Sequence, residues 1–158
     1  MTYFRIEFAM SAVRSVAAFV ARADGEAGRI VGFVELVRRE STAVPFDGCW
    51  IHATMVAMRY RGMGVAEALM RQAIAAAREA GADELRLTVF AGNAPALALY
   101  GKLGFRPGGS PALEERLEAE ARRSGRRQVA LRLARAGAAS APAAAAAPVR
   151  VSAAEAAP

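Results

Sequence analysis

CWIHATMVAMRYRGMGVAEALM, residues 49–70, decides the fold. Its first ten residues, 49–58, are mostly apolar with Thr and Val among them, which reads as a strand. Residues 65–80 repeat apolar positions at helical spacing through Val65, Leu69, Ala73 and Ala76 or Ala77. Gly81 is placed to end that helix as its C′ residue. Between strand and helix lies RGMGVA, residues 61–66. Two glycines and an arginine at a strand-to-helix junction are what a bound pyrophosphate needs. Glycine lets the backbone approach closely. The first N–H groups of the helix point at the anion, and the helix dipole favours negative charge there. Arg61 adds charge-assisted hydrogen bonds.

Upstream, two β-branched and aromatic runs, residues 15–22 and 29–38, flank the turn formers ADGEAG and read as a β-hairpin. Gly32 in the second run suits a close backbone approach. Residues 41–48 read as a loop. Downstream, ELRLTVF, residues 84–90, alternates like a strand. Asn93 is a good N-cap for a helix over residues 94–103, with Pro95 in its first turn and Gly104 to stop it. Phe105 opens a short strand. Residues 111–123 read as a charged helix or ordered loop, and QVALRLAR, residues 128–135, as a last strand. Residues 137–158 are almost only Ala, Pro, Ser and Val, the composition of a disordered tail behind one domain of residues 1–136. The order strand, strand, strand, helix, strand, helix, strand, strand predicts an α/β fold. It calls for a mixed sheet with at least one parallel crossover.

The 158 residues suffice for one ordinary core. Cys49 is the only cysteine, so no intrachain disulfide can form, and its apolar neighbours favour a buried small hydrophobe over a nucleophile. MTYFRIEF at the start is too short and too charged for a signal peptide, and no apolar run approaches the ~18 residues of a membrane span. A cytoplasmic protein with no membrane partner is expected. The net charge of +6 is carried by arginine, Lys102 being the only lysine. The densest group (Arg122, Arg123, Arg126 and Arg127) follows Glu114, Glu115, Glu118 and Glu120. Such scattered charge favours acidic ligands such as nucleotides over specific nucleic-acid binding. No metal is expected.

MVAMRYRGMGVAEALM, residues 55–70, together with NAPALALYGKLGF, residues 93–105, resembles the GCN5-related N-acetyltransferase (GNAT) family. Arg61, Gly64 and Ala66 match that family's acetyl-CoA signature, Arg/Gln-x-x-Gly-x-Gly/Ala. Asn93, Tyr100, Leu103, Gly104 and Phe105 match its second signature. The resemblance extends over residues 16–135. It implies a central mixed, twisted sheet with a splayed strand pair flanked by helices, and acetyl-CoA as cosubstrate. Backbone N–H groups of Arg61, Gly62, Met63, Gly64, Val65 and Ala66 would then hold the pyrophosphate. The strand before them would pair with the pantetheine arm, and N–H groups at Met55 and Val56 would stabilise the oxyanion. Asn93 would hydrogen-bond the pantetheine. Tyr100, two helical turns on and on the same face, would protonate the departing thiolate.

The acceptor amine must be neutral to attack. Many members of the family use a glutamate on the strand before the signature loop, or a water held by one. Here that place holds His52, the only histidine, alternating with Trp50 and Thr54. Glu35 on the neighbouring hairpin strand is the second candidate base, and a water chain the third. Family members also carry a strand and two helices before the hairpin, whereas about fourteen residues precede Ser15 here. The N-terminal part therefore reads as shortened, and a homodimer is one way to complete the acceptor wall. The resemblance implies transfer of an acetyl group to a primary amine of a small molecule or peptide, by direct attack in a ternary complex. The alternative is a non-catalytic acyl-CoA-binding module or half-domain that lacks a complete acceptor site.

Overall fold

The computed structural model describes residues 2–9, 15–23, 28–39, 47–134 and 149–151. Strand β4 (Gly48–Val56) and helix α1 (Val65–Glu79) form the expected strand–loop–helix unit. The strand ends two residues before its apolar run does, because Met58–Tyr60 forms one 3₁₀ turn before the glycine loop. Before it come β1 (Thr2–Ala9), β2 (Ser15–Ala23) and β3 (Ile30–Arg39). After α1 come β5 (Glu84–Phe90), α2 (Ala94–Lys102), the two-residue β6 (Arg106–Pro107), α3 (Pro111–Ser124) and β7 (Gln128–Ala134). The ambiguous charged segment is thus a helix. Ser110 caps it by accepting from Leu113 N–H, Pro111 fits its first turn, and Gly125 closes it at a φ of 70°.

One sheet runs in the order β6-β7-β5-β4-β3-β2-β1-β8. The last of these, β8 (Val149–Val151), pairs antiparallel with Thr2–Phe4 of β1. It lies within the stretch expected to be disordered, and its Val-Arg-Val alternation is the one strand-like pattern there. The expected hairpin turn at 24–27, most of the 41–48 loop and the rest of 137–158 lie outside the described residues. Every described pairing is antiparallel except that of β4 with β5. That parallel pairing involves only Cys49 with Leu85 and Trp50 with Arg86. Beyond these residues the two strands part, so the sheet is open along Ile51–Val56 and Leu87–Phe90.

Helix α1 covers one face of the sheet. Its Val65, Leu69, Met70, Ala73 and Ala77 are buried against Val34, Leu36, Cys49, Ile51, Leu85, Leu87 and Val89. Gly32 is what lets α1 lie this close. A Cβ there would meet the Met55 carbonyl oxygen at 2.9 Å, Leu69 Cδ1 at 3.1 Å and Val65 Cγ1 at 3.2 Å. Tyr100 and Phe105 join this core through ring centroids 5.8 Å apart. On the other face α3 buries Leu113 and Leu117 against Trp50 and Ala130. Trp50 is therefore a core residue, with its indole N–H donating to the Asp47 carbonyl at 2.9 Å. Cys49 is buried and free, as a small hydrophobe.

Candidate active site

The glycine loop leads into the N-terminus of α1 at one end of the opening. Gly62 and Gly64 have φ of 75° and 78°, which side chains with a Cβ rarely adopt. Gly64 is the N-cap and has no side chain to satisfy the helix's first N–H groups. The first intrahelical bond runs from Ala68 N–H to the Gly64 carbonyl at 3.0 Å. The N–H groups of Val65, Ala66 and Glu67 precede it and have no intrahelical acceptor. Val65 and Met63 pack into the core and fix the direction of this cradle. Arg61 donates from Nε to the Val56 carbonyl at 3.2 Å, which ties the loop to the end of β4.

Glu67 places a carboxylate in the same first turn. Hydrogen bonds from Lys102 Nζ at 2.6 Å and Arg71 Nη2 at 2.8 Å hold its pKa below the usual glutamate value. The Lys102 bond also joins the end of α2 to the start of α1.

The backbone of β4 shows which groups face the opening. Ala57 N–H donates to the Val31 carbonyl at 2.8 Å, and the Met55 carbonyl lies against Gly32. The polar groups of Met55 therefore turn toward β3. Strand alternation turns those of Val56 the other way, where its carbonyl takes the Arg61 bond. Of the two expected oxyanion donors, only the Val56 N–H is directed at the opening.

Tyr100 stands across from β4, with the ring buried at 8% exposure. Burial raises its pKa above the usual tyrosine value, and a hydrogen bond to the Thr54 hydroxyl acts in the opposite direction. The phenol thus keeps its proton at neutral pH. Thr54 Oγ1 also lies 3.5 Å from Met70 Sδ, so it connects β4, α1 and α2. Asn93 is exposed at the start of α2 and caps it, its Oδ1 accepting from Ala96 N–H at 3.3 Å. Its amide NH₂ is left to a ligand. Seven residues separate it from Tyr100, about 10 Å along the helix.

A β-bulge changes the reading of His52. Leu36 pairs with Ile51, yet Glu35 pairs with Ala53, so His52 is an extra residue with no partner on β3. Side-chain parity reverses there. Cys49 and Ile51 face α1 before the bulge, and Thr54 and Val56 face it afterwards. His52 consequently does not share a face with Thr54, as simple alternation had suggested. It lies with Trp50, Arg39 and Thr88 around a small hollow of about 80 Å³ on the opposite side of the sheet. Arg39 Nη2 lies 3.4 Å from His52 Nδ1. Glu35 is half-buried on the same face as Arg39.

A glycine cradle at one end of a strand opening and a buried tyrosine across it now meet the comparison with known sequences. The sequence profile of the acetyltransferase (GNAT) family matches residues 2–105. The chain belongs to this family. Among curated GNAT relatives, the N-alpha-acetyltransferase MAK3 of Arabidopsis thaliana is 45% identical over 56 residues, covering 35% of this chain and 30% of the relative. A Bacillus subtilis (strain 168) protein provisionally named a ribosomal protein bS18-alanine N-acetyltransferase is 33% identical over 81 residues, 47% of this chain and 54% of the relative. The matches thus span about a third and about half of these relatives. The GNAT fold recurs in a crystal structure from Bacillus anthracis str. Ames, provisionally named a streptothricin acetyltransferase, in complex with acetyl coenzyme A. It has a TM-score of 0.59 and 20% identity, covering 84% of this chain and 83% of that one.

Sequence reasoning missed Thr54, Thr88 and Arg39. The bulge hides the first, because period-two counting from His52 assigns Thr54 to the wrong face. Thr88 and Arg39 carried no local motif, and only sheet pairing brings them beside His52.

Proposed function

We propose that this chain transfers the acetyl group of acetyl-CoA to the α-amine of a protein N-terminus, by direct attack in a ternary complex. The observation that carries the reading is Tyr100. Its buried, protonated phenol is bonded to Thr54 of β4, in the stretch where β4 and β5 have parted. The preference for a protein α-amine rests on the names of both curated relatives.

In this reading the backbone N–H groups of residues 61–66 take the pyrophosphate and Arg61 swings from Val56 to join them. The pantetheine arm lies along β4 and bonds the Asn93 amide. The amine nitrogen attacks the thioester carbonyl carbon, and the Val56 N–H receives the developing oxyanion. The carbon–sulfur bond breaks, Tyr100 gives its proton to the thiolate, and the surplus proton on the newly acylated nitrogen returns through water to the tyrosinate. The ammonium must lose its proton first. His52 is poorly placed to take it, since the bulge turns it to the face away from Thr54, beside Arg39 and Trp50. Glu35, acting through water on the acceptor face, is the better candidate.

The test is turnover with acetyl-CoA and a panel of free N-terminal peptides, with isothermal titration of acetyl-CoA alongside. Tight binding and peptide-dependent CoA release support the reading. Binding without turnover on any amine would mean a non-catalytic acyl-CoA module, and no binding at millimolar acetyl-CoA would refute both.

A further inference from the structure

The cations on the acceptor face differ in what holds them. Arg86 is engaged by Glu84 and Asp47, and Arg132 by Glu84. Arg39 lies against His52 at the narrow end of the opening. Arg126 is different. Among the described residues no carboxylate pairs with it, and its guanidinium instead lies over the Phe90 ring, 3.9 Å from the centroid. Phe90 ends β5 opposite Gln128 and is 37% exposed, on the same face as Arg86 and Thr88.

Phe90 therefore flanks the wide end of the opening on the acceptor side. Met55 flanks it from β4 and is 62% exposed, paired with Phe33 on the face away from α1. Two apolar side chains and an unneutralised planar cation thus frame the place where an amine would enter. Stacking on Phe90 fixes the guanidinium without using its N–H donors, which stay available to a carboxylate. The surrounding sequence adds to the field, since Arg123 and Arg127 lie within three residues of Arg126.

We propose that Arg126, held on Phe90, selects acceptors whose N-terminal segment carries an acidic residue close behind the first. This rests on the N-acetyltransferase reading and goes beyond it by naming a substrate class. A peptide is favoured as the bearer because Arg126 sits at the outer rim of the opening, where residues following the reacting amine would pass.

The experiment compares three peptides with the same first residue and Glu, Gln or Lys at the second and third positions, at low salt. The wild type should give kcat/KM about fivefold higher for the Glu peptide than for the Gln peptide, and lower still for the Lys peptide. Arg126→Ala should bring the Glu-to-Gln ratio close to one, and Arg126→Glu should invert the order. Phe90→Ala should lower the ratio partway, by freeing the guanidinium. Acetyl-CoA affinity measured on each variant guards against misfolding. Equal rates for the Glu and Gln peptides in the wild type, or an unchanged ratio in Arg126→Ala, would overturn the proposal while leaving the enzyme reading intact. Acetyl-CoA binding with no turnover of any peptide would overturn both.

Discussion

The two faces of the sheet opening are built by different means. On the α1 face the groups are set by the backbone: two left-handed glycines, a helix N-terminus and a strand N–H, with one buried tyrosine. On the opposite face they are exposed or half-buried side chains grouped by a bulge and by cross-strand pairing: Arg39, His52, Glu35, Phe90 and Arg126. The first kind of site is fixed once the fold forms. The second changes with any surface substitution. A common donor on one side and a variable acceptor on the other would call for this division.

The largest effect should come from the one side chain that the donor face depends on. Tyr100→Phe should lower kcat at least a hundredfold while leaving acetyl-CoA affinity nearly unchanged, read by stopped-time assays and calorimetry. Because burial raises the Tyr100 pKa, its deprotonation comes at more alkaline pH than for a free tyrosine. The wild-type rate should accordingly hold through neutral pH and fall only above the usual tyrosine range. A fall near neutrality would assign the alkaline limb to another group.

The acceptor face should respond unevenly. Glu35→Gln should cost about thirtyfold in kcat near pH 7, whereas His52→Gln should cost less than about threefold. The reverse ranking in a pH–rate series would return the base role to His52. Gly64→Val should next weaken acetyl-CoA binding about tenfold, since a β-branched residue resists a φ of 78°. Unchanged affinity there would detach the loop from the pyrophosphate.

Two changes test the frame. Gly32→Ala should destabilise the fold by about 1–3 kcal/mol in chemical denaturation, because the new methyl meets backbone at 2.9 Å as well as α1. Glu67 should show the smallest effect. Its pKa is held down by Lys102 and Arg71, so its contribution is present above the usual glutamate pKa and is lost as pH falls through the lowered value. The Tm difference between the wild type and Glu67→Gln should therefore be small at pH 7 and should close in acid, since these partners are largely exposed.

The contrast between faces also separates what was legible in the sequence from what was not. The glycine loop, α1, β5, the Asn93 cap and the Asn93–Tyr100 spacing rest on local rules of helix period, capping and positive φ, and each could be read from a short window. The family resemblance drew on the same residues. The partner of Tyr100 could not be read, because Thr54 reaches the α1 face only through an extra residue at His52, and no local pattern announces a bulge. The setting of Phe90 was equally hidden, since Arg126 lies thirty-six positions away and meets it through strand pairing. The two-residue overrun at the end of β4 had a simpler cause: apolar residues continued past the point where the chain turned.

The extra residue in β4 works as a phase shifter. Ahead of it, even-numbered side chains look one way, and behind it they look the other. Deleting a single residue at His52 or Ala53 would leave composition and length almost untouched. It would remove the bulge and restore plain alternation, leaving Thr54 and Val56 on the α1 face, because the pairing of Leu36 with Ile51 and of Glu35 with Ala53 already skips one residue. Tyr100 would keep its partner, and only the opposite wall of the opening would change. The bulge is thus the one point of this strand where the chain can lose a residue without exchanging the contents of the two walls.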